Sequence, residues 1–211
     1  MTKIEILDDL AYVKSTYIKS MAEEGKNVPL LGGNIGLMWA ILSTITLLLH
    51  WAIIAKHINI SFEYIGFIWM VFGITGGILT TILGKKIDKK PGASSVANRV
   101  SSTLWPSISV LIFTYAIAVG ISHILAKNTP LLFDTIPAFA FGCHFLAYTL
   151  IAKISGQKWM YSFAMIALAL VPICMYFLGN TTLYLIATLG VFTVGVIPSL
   201  ISIKHEPRLD V

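Results

Sequence analysis

The chain has 211 residues, of which 56% are hydrophobic and only 12% are charged. Soluble domains carry about 25% charged residues, so this composition excludes a soluble globular protein and predicts a chain embedded in a lipid bilayer. The net charge is +5, but no aromatic residues alternate with the basic ones, so we expect no nucleic-acid partner. Two distant cysteines, Cys143 and Cys174, exclude a disulfide framework and a cysteine-rich metal site.

Residues 4–24 have the pattern of an amphipathic helix. Apolar side chains recur every three or four residues and line one helical face, while most charges fall elsewhere. The segment is too polar to cross a bilayer. We therefore predict that residues 1–33 form a cytosolic or interfacial helix and a hinge, with an apolar stripe that docks on the membrane surface or on a cytosolic protein partner. The stripe consists of Leu10, Val13, Tyr17 and Met21.

The predicted hinge reads EEGKNVPLLGG over residues 23–33. It lacks the G-x-x-x-x-G-K-[ST] spacing of a phosphate-binding loop. Gly25 is suited to end the helix, and Pro29 disfavours helix at the residue before it. The two glycines at 32 and 33 then let the chain turn into the first span. A hinge is the favoured interpretation, and a docking surface for a partner stays an alternative.

Six apolar runs follow, each near the ~20 residues that a helix needs to cross a bilayer. Lipid-facing backbone must satisfy its own hydrogen bonds, so these runs predict helices. The expected fold is all-α: a polytopic membrane protein with six transmembrane helices over residues 34–204, preceded by the amphipathic helix and followed by a short cytosolic tail at 205–211. The runs cover about 35–55, 64–84, 104–126, 131–152, 159–178 and 182–203.

Basic residues predict the orientation of these runs. Of the fifteen Lys and Arg residues, only Lys56 and Lys127 fall outside the two tails and the second and fourth loops. The positive-inside rule then places both termini in the cytoplasm, and we expect the bacterial inner membrane as the location.

The second span carries four glycines on one helical face, and two of them form a G-x-x-x-G motif. Small residues let helix backbones approach closely in a membrane, so this face predicts a helix-packing surface. Packing within one chain and homo-oligomerisation both stay open. The four residues are Gly66, Gly73, Gly77 and Gly84.

Ionisable groups within the spans are candidates for function, because they are expensive to place there. Four of these groups lie in one half of the predicted bundle or at its middle. We predict that they form a ligand- or proton-sensing site. No H-x-x-x-H pair is present, so we predict no metal and no cofactor, and structural roles for the histidines stay an alternative. The candidates are His50, His123, Asp134 and His144.

Prolines interrupt four of the six runs. Each removes a backbone donor and can kink its helix, and a membrane helix tolerates it when a neighbour satisfies the freed carbonyl. They predict either bundle shape alone or a gate. The four are Pro106, Pro137, Pro172 and Pro198.

The stretch AEEGKNVPLLGG, the later LLLHWAI and the basic loop GKK…KPGASSVANRV resemble a group of small bacterial membrane proteins. In those proteins a charged N-terminal helix and a PLLGG turn precede six spans. The resemblance implies a regulatory or sensing role and supplies no catalytic residues.

Three functions follow from these patterns. The sequence contains no catalytic constellation, so we expect no enzyme and favour a sensor or partner-binding regulatory protein. The alternative is a small transporter or channel subunit with an outward-facing cavity lined by His and Asp. A membrane metal or haem protein, which only the histidines support, is the third.

Overall fold

The computed structural model describes residues 12, 14, 29–126 and 130–207. Six helices make up this part of the chain, together with a short 3₁₀ turn at Pro130–Leu132, and the described residues form no strand. The last helix contains a central π-helical segment at Phe192–Val196. In chain order the helices are α1 (Gly33–Ile54), α2 (Tyr64–Ile87), α3 (Val96–Ala126), α4 (Thr135–Ser155), α5 (Met160–Tyr176) and α6 (Thr182–His205).

The all-helical membrane fold expected from the sequence is confirmed at this level. Five helices are long and apolar enough to cross a bilayer, and α5, with 17 residues, is a shorter apolar helix. Tyr12 and Lys14 are helical, but the predicted stripe residues Leu10, Val13, Tyr17 and Met21 lie outside the described residues, as does the first part of the hinge.

Helix α3 begins earlier than the apolar run predicts. It starts at Val96 rather than near 104, because its first two turns are polar but properly capped. The hydroxyl of Ser95 accepts a hydrogen bond from the backbone N–H of Asn98 at 3.3 Å, the arrangement of a helix N-cap. A hydropathy pattern identifies only the part of a helix that lies in the lipid, so it misses the polar turns at the start of α3.

Helices α1 and α6 pack against each other along their length, running in opposite directions. Their backbones come close because small residues face each other. A Cβ atom at Gly195 would lie 2.8 Å from the Cβ of Ala40, and one at Gly36 would lie 2.6 Å from the hydroxyl oxygen of Ser199. The remaining helices surround this pair: α2 packs on α1, α5 packs on α4 and α6, and α3 packs on α4.

Helices α2 and α3 are the most peripheral of the bundle. Only 11% of the apolar window of each is buried, and large apolar side chains such as Ile74, Ile78 and Val110 are more than half exposed. A continuous apolar surface of this kind suits contact with lipid chains.

The glycine face predicted on α2 divides between two environments. A Cβ atom at Gly73 would lie 3.2 Å from the ring of Phe113 on α3, whereas one at Gly66, Gly77 or Gly84 would have no described atom within 4 Å apart from the nearby backbone of its own helix. The tight contact with α1 is instead made through Gly76, where an added Cβ would lie 2.2 Å from the Trp39 ring. Packing of the three open glycines on another copy stays a prediction.

The π-helical segment of α6 is explained by a proline. Pro198 has no N–H to bond to the carbonyl of Val194 one turn earlier. The buried hydroxyl of Tyr148 on α4 donates a hydrogen bond to that carbonyl. A neighbouring helix therefore satisfies the acceptor that the proline frees.

Candidate functional site

Polar contacts concentrate at the two ends of the bundle. We call the end where α1 begins and α6 finishes the near end, and the opposite one the far end. At the far end, four side chains from separate elements form what we call the far-end cluster: His50 of α1, Trp69 of α2, Tyr184 of α6 and Asp134, which immediately precedes α4.

His50 is a buried ionisable group of the far-end cluster, with 7% of its surface exposed, close to the 5% of Tyr184. Trp69 Nε1 donates a hydrogen bond to His50 Nδ1 at 3.2 Å. The Tyr184 ring lies against the imidazole, with ring centroids 4.0 Å apart and an interplanar angle of 38°. Two aromatic side chains therefore fix both the position and the orientation of the imidazole.

The contact with Trp69 also determines the tautomer of His50. An indole N–H is only a donor, so Nδ1 must be the acceptor and the neutral imidazole carries its proton on Nε2. Protonating Nδ1 would set two donors face to face, so the geometry favours the neutral ring. A proton on Nε2 also disfavours metal coordination through that atom.

His50 Nε2 has no hydrogen-bond partner among the described residues. Every fully buried side-chain nitrogen or oxygen in that part of the chain does have a partner. Nε2 must therefore keep some contact with the space around the helices. It is an open donor in a cluster that is otherwise hydrogen-bonded.

Both carboxylate oxygens of Asp134 accept hydrogen bonds. The Tyr184 hydroxyl donates to one oxygen at 2.7 Å, and the backbone N–H of Gly179 donates to the other at 2.9 Å. Gly179 lies in the α5–α6 loop and has a left-handed φ of 77°, which glycine adopts without strain. Tyr184 thus connects the two residues: its hydroxyl donates to Asp134, and its ring packs on His50.

The other two predicted site residues lie in different surroundings. His144 lies within α4, with Nδ1 2.8 Å from the Ala140 carbonyl oxygen and its ring beside Trp105, at a centroid distance of 5.5 Å. His123, near the end of α3, packs edge-on against Phe133. The described residues contain no group of three His, Cys, Asp or Glu side chains placed to hold a metal ion.

At the near end, a second group of polar residues holds the segment that leads into α1. We call it the near-end clamp: Lys90 and Asn98 with Glu206, which follows directly after α6, around the segment 29–33. The Asn98 amide oxygen accepts from the Leu31 N–H at 2.8 Å, and its nitrogen donates to the carbonyls of Pro29 and Gly92 at 3.1 and 2.9 Å.

Glu206 makes the second half of the near-end clamp. Its side chain is only 3% exposed. One carboxylate oxygen accepts from the Gly33 N–H at 2.6 Å, and the other pairs with Lys90 Nζ at 2.5 Å. A carboxylate at the first turn of a helix also interacts favourably with the helix dipole. The last part of the predicted hinge is thus fixed in place from two sides.

No known protein family, curated protein or solved structure matches the chain. The resemblance of the N-terminal stretch therefore stays a prediction, and the functional interpretation depends on the geometry of the chain itself.

Proposed function

We propose that this protein is a six-span sensor or regulatory protein of the bacterial inner membrane, with both termini in the cytoplasm. One observation carries the proposal: the same two helices contribute to both polar clusters. Helix α1 holds His50 at the far end and Gly33 at the near end, while α6 holds Tyr184 at the far end and leads into Glu206.

The close packing of α1 and α6 supports transmission between the two ends. Small residues bring their backbones together, so a shift of one helix must be accommodated by the other. The segment 29–33 is held at the near end and connects to residues 1–28, within which we predict the amphipathic helix over residues 4–24. A ligand that moves α1 against α6 at the far end would then change how that helix is presented to a cytosolic partner.

The far-end cluster favours a ligand over a proton as the signal. His50 is held neutral by the donor-only Trp69, and both oxygens of Asp134 are already hydrogen-bonded. The open group is the Nε2–H of His50, which suits a hydrogen-bond acceptor such as a carboxylate, carbonyl or phosphate oxygen.

Amide hydrogen exchange tests the proposed transmission. In protein reconstituted in lipid nanodiscs, Tyr184→Phe removes the hydroxyl that bonds to Asp134, and we expect faster exchange of the Leu31 and Gly33 amides at the other end of the bundle. Tyr115→Phe is the matched control, because it removes a far-end hydroxyl bond to Thr135 at 2.8 Å that involves neither α1 nor α6.

If the two variants leave the near-end amides equally protected, the ends are not coupled and the sensing proposal fails. The orientation has its own test, since reporter fusions after Lys26, Arg99 and Arg208 should all report the cytoplasm. A periplasmic signal at any of these positions contradicts the six-span topology.

A further inference from the structure

A pocket of about 580 Å³ lies at the far end, between the end of α1 and the start of α2. This volume is in the range of sites for small-molecule ligands, although the pocket is open on one side and all of its lining residues come from the stretch 53–62. Its walls are mainly apolar, with one cation and one amide among them. The lining residues are Ile53, Ile54, Lys56, Ile58, Asn59, Ile60 and Phe62.

Lys56 occupies a backbone position that favours glycine. Its φ is 60°, the left-handed conformation that commonly ends a helix, and it is the only residue other than glycine with positive φ in the described part of the chain. A left-handed conformation costs a side-chain-bearing residue roughly 1 kcal/mol. The chain therefore keeps a cation at a position that glycine would occupy with less strain.

The surrounding loop holds Lys56 in a defined place. The backbone N–H groups of His57 and Ile58 both donate to the carbonyl of Ala52, at 2.8 and 3.2 Å. The His57 ring packs on Trp51, with centroids 4.8 Å apart. These contacts fold the loop back onto the last turn of α1, next to the residues that line the pocket.

The pocket adjoins the face of α1 that carries His50. Ile53 and Ile54 follow His50 by three and four residues, so all three lie on one side of the helix. Ile53 is buried, with 4% of its surface exposed. A molecule in the pocket would therefore press on the same helical face that supports the far-end cluster.

We infer that this pocket binds a single-chain amphiphile with an anionic carboxylate or phosphate head group. The apolar walls match the chain, and Lys56 with Asn59 matches the head group. The acidic neighbour Glu63 follows Phe62 in the chain but does not line the pocket. The inference deepens the proposed function, on which it rests, by naming the chemical class of the ligand; since His50 does not line the pocket, such a ligand would act on the far-end cluster through the last turns of α1.

The test uses dodecyl phosphate as the probe, with the protein purified in dodecyl maltoside and bound molecules counted by native mass spectrometry. The detergent has the same alkyl chain with an uncharged head, so it competes for the apolar walls and leaves only the head group to be measured. We expect one dodecyl phosphate per chain, bound about fivefold more weakly after Lys56→Gln, the effect of one Lys on an anionic head group.

Two further variants complete the design. Lys153→Gln removes an exposed cation at the near end, and we expect unchanged binding. Lys56→Gly removes the charge and also relieves the left-handed backbone, so it should weaken binding while raising the thermal midpoint of unfolding. That combination separates lost recognition from lost folding.

Equal binding by wild type and Lys56→Gln, or equal weakening by Lys56→Gln and Lys153→Gln, overturns the inference. Displacement of dodecyl phosphate by phosphatidylglycerol would assign the pocket to a two-chain membrane lipid and overturn the single-chain assignment. None of these measurements uses the near-end amides, so ligand binding and transmission between the ends can fail independently.

Discussion

The two ends of the bundle are both held by polar side chains, but the chemistry of the two groups differs. In the near-end clamp, the side chains of Asn98 and Glu206 are fully engaged, by hydrogen bonds to the segment 29–33, to Gly92 and to Lys90. In the far-end cluster, His50 keeps one donor without a partner in the described chain. The near end is suited to holding a structure, and the far end is suited to accepting a ligand.

Because of this difference, we expect substitutions at the two ends to affect stability and ligand response differently. Variants in a saturated, buried network should lower stability, because each leaves another group without its partner. Variants in a cluster with an open group should change stability less and the ligand response more. Three substitutions at the two ends test that division, and a fourth, between the ends, measures the cost of one buried hydrogen bond; they are given from the largest expected effect to the smallest.

Glu206→Ala should give the largest loss of stability. It leaves Lys90, whose side chain is 14% exposed, without its carboxylate, and it removes the acceptor of the Gly33 N–H. Breaking a buried ion pair costs about 3–5 kcal/mol, and we expect the lower end because Lys90 can turn toward water. Thermal unfolding in nanodiscs measures this loss. Glu206→Gln keeps the acceptor for Gly33 and should recover part of it.

Asn98→Ala should be the second largest change. It removes one acceptor and two donors from a side chain that is 6% exposed, and the unsatisfied backbone groups should cost about 2 kcal/mol. Limited proteolysis should cut near Pro29 faster than in wild type. Ser102→Ala, which removes a hydroxyl bonded only within α3, serves as the control. Unchanged cleavage would show that Asn98 does not hold the segment 29–33.

Tyr148→Phe should destabilise the protein by about 1 kcal/mol, as expected for one hydrogen bond between membrane helices. The same change in a Pro198→Ala background should cost less, because the substituted alanine restores the backbone N–H that can bond to the carbonyl of Val194. A double-mutant cycle of thermal stability measures this difference. Additive effects would mean that the tyrosine and the proline act independently.

Tyr184→Phe should have the smallest effect on stability, about 0.6 kcal/mol, since it removes one hydroxyl but keeps the ring on His50. Equilibrium unfolding measures this cost, while the near-end amides report the transmission. A loss as large as that of Glu206→Ala would place the far-end cluster in the same structural class as the clamp and would remove the contrast between the ends.

Much of this fold follows from hydropathy alone. The predicted apolar runs coincide with the observed helices because burial in lipid and backbone hydrogen bonding impose the same constraint on every such segment. Hydropathy misses the early start of α3, since capping by Ser95 stabilises a polar turn that apolarity does not detect. Helix α5 is shorter than its predicted run.

The polar clusters are harder to predict. His50 and Asp134 are candidates from their chemistry, but Tyr184, which joins them, is not among the predicted site residues, because its place near the end of an apolar run is typical of an interfacial aromatic. The sequence feature that could have identified Tyr184 is its amphipathic side chain, which places a polar hydroxyl on an apolar ring within an apolar run.

The near-end clamp leaves almost no sequence signal. Asn98 and Glu206 lie 67 and 173 residues from the backbone groups that they bind, and contacts at such separations depend on how the helices are arranged. The sequence predicts that Pro198 leaves one backbone carbonyl without its helical donor. It does not predict that the Tyr148 hydroxyl donates to that carbonyl, because this contact also depends on how the helices are arranged.

The π-helical segment also fixes the angular register of α6. A π turn accommodates an additional residue within a helix, so deleting one residue between Phe192 and Val196 would convert α6 into a continuous α-helix. Because the wide turn absorbs that residue locally, its loss would leave the flanking α-helical turns nearly in phase, whereas one residue lost from the α-helical part of α6 would rotate everything after it by about 100°, at 3.6 residues per turn. In that second case Tyr184 would keep its place at one end, while Glu206 would turn away from Gly33 at the other. The phase between the two halves of one helix thus decides whether both ends of the protein can be assembled together.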